Sequence, residues 1–126
     1  MRLLLDSHAL VWFAEGHSLS EPTRSWIESG ESEVYVSVAS SWELGIKQAK
    51  GKMRLTRPVS GIVEYFGFAR LPITWAHAKV AEALPHIHGD PFDRMLVAQA
   101  QCEGLSLVTN DVHLGRYQVH VVPTNG

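Results

Sequence analysis

Short apolar or β-branched runs alternate with helix-length segments along this whole chain, and that alternation admits few folds. Runs of strand length lie at residues 2–5, 34–38, 105–108 and 118–122. Helical segments are expected at 7–14, 20–30, 40–50, 59–66, 75–84 and 91–103, with a short turn of helix at 112–117. Ser20, Thr74 and Asp90 stand where N-caps belong, Pro22 and Pro91 open their helices, and Gly51 and Gly104 close theirs. Strands separated by helices cross over and pair in parallel, so an α/β fold with a mainly parallel sheet is expected. Segment 91–103 carries Phe92, Met95, Leu96, Val97, Ala98 and Ala100, apolar nearly all round, which suits a helix packed centrally on that sheet. At 126 residues, without repeats or a Pro/Ser-rich linker, the chain reads as one domain able to fold without disulfide or metal.

In an open parallel sheet, ligands bind beyond the carboxyl ends of the strands. Asp6 ends the first run, Asp111 follows the third in Val108-Thr109-Asn110-Asp111, and Glu43 lies early in the helix after the second. Asp90 and Asp93 open the helix 91–103. Clustered carboxylates repel and take up protons unless a cation joins them, and oxygen-only ligands select hard ions such as Mg²⁺ or Mn²⁺. Two such ions about 4 Å apart can activate a water and neutralise a leaving oxygen in phosphodiester hydrolysis. Ser7 and Thr109 adjoin the acids, with hydroxyls able to orient a carboxylate or a bound water.

Each acid also has a plainer reading. Asp6 can cap the first helix, and Asp90 in Asp-Pro-Phe-Asp has every mark of a cap. Asp93 suits the positive end of a helix dipole, Glu43 can pair with Lys47 one turn on, and Asp111 can be a turn residue. Convergence on one sheet edge is what favours the metal reading.

The net charge of −2, from 11 basic and 13 acidic residues, argues against a general polyanion binder. Yet Lys47, Lys50, Lys52, Arg54 and Arg57 fall within eleven residues that hold no acid. Glu43, Lys47, Lys50 and Arg54 would share one helical stripe if Gly51 did not break it, placing cations for a nucleic-acid backbone beside the acids. His86, His88 and Asp90 match the H-x-H-x-D spacing of binuclear zinc hydrolases, although Pro91 stands where those enzymes usually have another His. The two histidines are therefore read as loop residues near the site, and the other five, His17 among them, show no second ligand spacing. Trp42, a turn from Ile46, is expected in the core rather than on a base-stacking platform. Trp12, Phe13, Trp26 and Ile27 are expected in the core or in an apolar groove between the first two helices. Asp6 interrupts any signal-peptide core, and a lone Cys102 fits a reducing cytoplasm, so no export and no membrane span are expected.

Three ordered stretches, LLLDSHALVW, SVASSWELGIKQAKGKMRL and LPHIHGDPFDRMLVAQAQCEGLSLVTND, resemble PIN-domain proteins, and more narrowly the VapC-type ribonuclease toxins of bacterial toxin–antitoxin pairs. The resemblance implies a three-layer α/β/α sandwich around a parallel sheet of four to five strands. It further implies Mg²⁺- or Mn²⁺-dependent endonucleolytic RNA cleavage and a homodimer. A cognate antitoxin would silence it by laying its C-terminal segment in the groove and site. Asp6 matches the first-strand acid, Glu43 that of the W-E-x-x-I/L-K helix, Asp93 that of D-R-x-L-x-A-Q-A, and Asp111 that of T-x-D. Asp90 stays open between ligand and cap, and Ser7 replaces a common Thr or Ala. Lys47, Lys50 and Arg94 are the expected phosphate contacts. The alternatives are a non-catalytic RNA-binding protein, and a zinc hydrolase built on His86, His88 and Asp90.

Overall fold

The computed structural model describes residues 1–16 and 19–125, so His17 lies outside the described residues. Five strands form one parallel sheet: β1 (Arg2–Leu5), β2 (Glu33–Ser37), β3 (Ala69–Leu71), β4 (Ser106–Thr109) and β5 (Val121–Pro123). Their order across the sheet is β3-β2-β1-β4-β5, which puts β1 at the centre. Six helices connect them: α1 (Ser7–Glu15), α2 (Glu21–Glu28), α3 (Val38–Ala49), α4 (Val59–Phe66), α5 (Trp75–Ala83) and α6 (Pro91–Glu103). A 3₁₀ turn at Val112–Arg116 precedes β5. The expected α/β/α sandwich is the observed architecture.

Alternation along β1 builds the two cores. Leu3 and Leu5 face one side with Val34, Val36, Val108 and Val122, under Leu10 and Phe13 of α1, Ile27 of α2 and Ile62 and Val63 of α4. Leu4 faces the other with Leu71 and Leu107, under Leu96, Val97 and Ala100 of α6 and Leu114 and Tyr117 beyond β4. A fully buried leucine contributes about 1.5–3 kcal/mol, so the three of β1 anchor both layers. Helix α3 gives Leu44 to one core and Ala39 to the other, and so straddles the sheet's carboxyl edge. The chain reverses its direction of travel at β1, and such a switch point opens a crevice beyond the strand ends.

Several boundaries differ from expectation. β3 was not expected: its three residues include Arg70 and carry no apolar period, and pairing with β2 is what holds them extended. The second strand stops at Ser37, whose hydroxyl accepts from Ala39 N–H and starts α3 earlier than residue 40. Gly51 at φ +70° ends that helix, so Arg54 leaves the stripe of Glu43, Lys47 and Lys50. Trp42 is 64% exposed, contrary to the core expectation. A groove of about 440 Å³ beside the first two helices is walled by Phe13, Arg24, Ile27, Glu28, Phe66 and Phe68, not by Trp12 or Trp26. Trp12 instead stacks on His8. Among the described residues, no helix is long and apolar enough to cross a membrane.

Candidate active site

The sheet's carboxyl edge holds a pocket of about 360 Å³ lined by Asp6, Ser7, His8, Glu43, Lys47, Asp90, Asp93, Asn110 and Asp111. Four separate segments supply its five carboxylates. Asp6 leaves the end of β1, and Asp111 follows β4, the next strand in the sheet. Glu43 sits one turn into α3, and Asp93 in the first turn of α6, whose N-terminus points to this edge because its C-terminus leads into β4.

The acids differ in how well the protein satisfies them. Asp6 is 5% exposed; its Oδ1 accepts from Ala9 N–H (2.8 Å) and its Oδ2 from the Thr109 hydroxyl (2.6 Å). Burial still raises its carboxyl above the ordinary range, against the lowering effect of those bonds. Glu43 accepts from the Ser7 hydroxyl at 2.5 Å and lies 3.4 Å from Lys47 Nζ. Asp111 accepts from His113 N–H (2.9 Å) and meets His88 Nε2 at 2.7 Å. Desolvation would raise it, but these two partners outweigh that and hold it below the usual carboxylate range. Asp90 Oδ1 accepts from both Phe92 N–H (2.8 Å) and Asp93 N–H (3.1 Å), which is an N-cap.

Asp93 is the exception. Among the described residues its carboxylate receives no short hydrogen bond; the basic side chain within 4.0 Å of it is His88, with Nε2 at 3.5 Å. Burial, then the charges of Asp90, Asp6 and Glu43, push it up to about 7. The protein alone thus leaves one carboxylate of the pocket half protonated near neutral pH. A positive charge placed among these acids would favour their ionised forms. His88, Asp93 and Asp111 each offer an atom within 4.8 Å of the others, the one such group of three among the described residues.

His88 carries more of the site than its loop position suggested. Its Nδ1 accepts from Asp90 N–H (3.1 Å), so in the neutral ring the proton sits on Nε2 and is donated to Asp111. While both bonds last, His88 orients Asp111 and has no lone pair for a metal. His86 is exposed, and the group of three possible metal donors among the described residues joins His88 to Asp93 and Asp111, not to His86 and Asp90. His8 and Asn110 also line the pocket without having been singled out; each is chain-adjacent to a serine or acid that was.

Arg94, expected at a phosphate, has its terminal nitrogens engaged within the protein. Its terminal nitrogens donate to the carbonyls of Ala81 (3.0 Å), Leu84 (3.0 Å) and Pro85 (2.9 Å) and approach His88 O and Tyr117 Oη (each 3.4 Å). The guanidinium closes the end of α5 and fixes the loop that carries His88. Lys47 lines the pocket, and Lys50 lies in the adjoining groove.

A parallel sheet with carboxylates gathered at its switch point defines an α/β protein with an acidic crevice beyond its strand ends. Residues 3–119 match the PIN domain, and the chain belongs to that family. It is 34% identical over 116 residues to Ribonuclease VapC22 of Mycobacterium tuberculosis, covering 89% of this chain and 88% of that protein. Its fold is similar to a chain of the Rickettsia felis VapBC2 complex bound to promoter DNA: TM-score 0.72, 16% identity, 98% of each chain. It is also similar to DNA-bound VapBC from Salmonella typhimurium, with TM-score 0.67, 15% identity and 98% of each chain.

Proposed function

We propose that this protein is a divalent-metal-dependent endoribonuclease, the toxin half of a cytoplasmic toxin–antitoxin pair. The observation that carries the reading is the convergence of five carboxylates from four segments on one pocket, with Asp93 left uncompensated. The 34% identity to a ribonuclease of the VapC group supports RNA as substrate, and the likeness to VapBC complexes supports a cognate antitoxin.

Asp6, Glu43, Asp93 and Asp111 would hold Mg²⁺, with Mn²⁺ able to substitute. A divalent ion held there would supply charge to acidify a water and to neutralise the scissile phosphate. Thr109 and Ser7 keep Asp6 and Glu43 aimed into the pocket through their hydroxyl hydrogen bonds. His88 does the same for Asp111. Lys47 and Lys50 offer charge to the flanking phosphates. Among the described residues, no serine or cysteine is placed with a His–acid pair as a nucleophile, so water is the attacking group.

A homodimer is part of the reading. The sheet edge at β3 carries a mainly apolar cleft of about 430 Å³ lined by Val36, Val38, Val59, Val63, Leu71 and Pro72, with Ser37, Ser41, Ser60 and Arg70 among them, a surface a second copy would cover. The test is incubation of the purified protein with total RNA and Mn²⁺, with and without EDTA. Cleavage that EDTA and Asp93→Asn both abolish is expected. RNA left intact by the wild type, or cleavage that persists in Asp93→Asn, would sink the proposal.

A further inference from the structure

Beside the acid pocket runs a second groove of about 240 Å³, sharing Glu43, Lys47 and Asp90 with it and continuing over Ile46, Lys50, Lys52 and Phe92. We infer that this groove, together with the exposed Trp42 packed against its Phe92, is a nucleotide subsite: an unpaired base of single-stranded RNA stacks on the Phe92–Trp42 pair while Lys47, Lys50 and Lys52 hold the phosphates beside it. The inference rests on the nuclease reading and deepens it by naming the side chains on which one nucleotide beside the acids would sit.

Two independent features converge here. One is aromatic. Trp42 and Phe92 meet edge to face, centroids 5.2 Å apart at 73°, and Trp42 is 64% exposed although large apolar rings usually shelter. Trp42 immediately precedes Glu43 on α3, and Phe92 immediately precedes Asp93 on α6. Successive helical residues point roughly 100° apart, so each acid can enter the pocket while its aromatic neighbour faces away from it. The Asp90 cap and Pro91 fix Phe92 in the first turn, which ties the platform rigidly to the acids.

The other feature is charge. Lys47 has Glu43 as its ion partner, whereas Lys50 and Lys52 have no carboxylate within 4.0 Å among the described residues. Uncompensated cations around an aromatic platform form the usual arrangement for single strands: phosphates along the basic rim, a base on the ring. A base inside a duplex is stacked and paired on its own strand and is not available to such a platform.

The test is fluorescence anisotropy with a labelled ten-nucleotide RNA, single-stranded or annealed to its complement, with Ca²⁺ present in place of Mg²⁺. The wild type is expected to prefer the single strand. Trp42→Ala and Phe92→Leu should each weaken single-strand binding about 5- to 160-fold, the range for losing one stacked base, and leave duplex binding unchanged. Trp42→Phe should restore most of the loss. Lys50→Ala and Lys52→Ala should weaken both forms and reduce the salt slope by about 0.7 each. Unchanged single-strand affinity in folded Trp42→Ala and Phe92→Leu, confirmed by an unaltered melt, overturns the subsite. So does conversion of a dimer to a monomer by Trp42→Ala at wild-type affinity, which would assign the ring to a second copy. A wild type that cleaves RNA with Mn²⁺ while those variants bind normally removes only the subsite; a wild type that neither cleaves nor binds removes the nuclease reading as well.

Discussion

Helix α6 has a histidine–carboxylate contact at each end, and the two ends could hardly be used more differently. At its C-terminus His77 is 1% exposed, its Nε2 2.8 Å from Glu103 Oε2 and its Nδ1 accepting from Thr74 N–H (3.1 Å) and Gln99 Nε2 (3.4 Å). One imidazole meets one carboxylate, and among the described residues only Gln99 Oε1 in this cluster lacks a partner. At the N-terminus His88 is 21% exposed and faces both Asp93 and Asp111, with Asp6, Glu43 and Asp90 lining the same pocket. The deeper cluster is the inert one. Imbalance between charges, rather than depth of burial, separates a site that waits for a ligand from one that completes the fold.

Substitution at the two ends should therefore give opposite patterns. Asp93→Asn is expected to cost at least about 100-fold in RNA cleavage, since even residues that only orient metal ligands cost 10–100-fold. The same change should raise the melting temperature in EDTA, because it removes a carboxylate the fold holds at a loss. His77→Ala should do the reverse: a loss of about 2 kcal/mol or more in unfolding free energy, with cleavage little changed at a temperature where both proteins are folded. A His77→Ala protein that melts like the wild type would remove the contrast.

The contrast also has a pH signature. Asp93 titrates near 7 in the folded chain and near 3.8 unfolded, so between those values the native state binds the extra proton. Stability of the metal-free protein contributed by this group is whole below about pH 4 and is lost as pH rises through 7. Asparagine does not titrate, so the stabilisation by Asp93→Asn in EDTA should be small at pH 5 and larger at pH 8. Saturating Mn²⁺ should erase the difference or reverse its sign. A constant offset between pH 5 and 8 would mean that the acids do not press on Asp93 as the geometry implies.

Legibility in the sequence follows the same division. The caps at Ser20, Thr74 and Asp90 rest on short-range bonding, and all three side chains accept the N–H bonds that their residue types suggest. Alternation in β1 is equally local. Strand β3 is not, since three residues acquire a strand only through their neighbour. Trp42 shares a helix face with Ile46, but periodicity states which residues share a face and not whether anything covers it. The place of Asp6 and Asp111 at strand ends was readable. Asp6's bond to Ala9 N–H is local and Asp90 presses on Asp93 from three residues away, but the Thr109 bond to Asp6 and the charges of Asp6 and Glu43 on Asp93 come from other segments, which no local pattern encodes. Arg94 illustrates the same gap: its charge suggested phosphate, and five neighbours from two other segments consume its donors.

Asp90 tests the comparison most finely, because it belongs to the imbalanced pocket while performing a structural task. Its Oδ1 takes both the Phe92 and Asp93 N–H groups, and Pro91 needs no partner, so as a cap it is complete. Asp90→Ala should cost about 1 kcal/mol of stability through the lost cap. Asp90→Ser keeps a capping oxygen but removes the charge, and with it the second-largest influence raising Asp93. The Ser variant should therefore melt close to the wild type, and its Asp93 should titrate lower. In EDTA its stability should fall less steeply between pH 5 and 8. Mn²⁺ affinity measured by calorimetry should change by less than about threefold if Asp90 only caps. A Ser variant that folds normally but loses tenfold or more in Mn²⁺ affinity would make Asp90 a ligand, and the α6 N-terminus would then hold two metal-binding acids rather than one acid and its support.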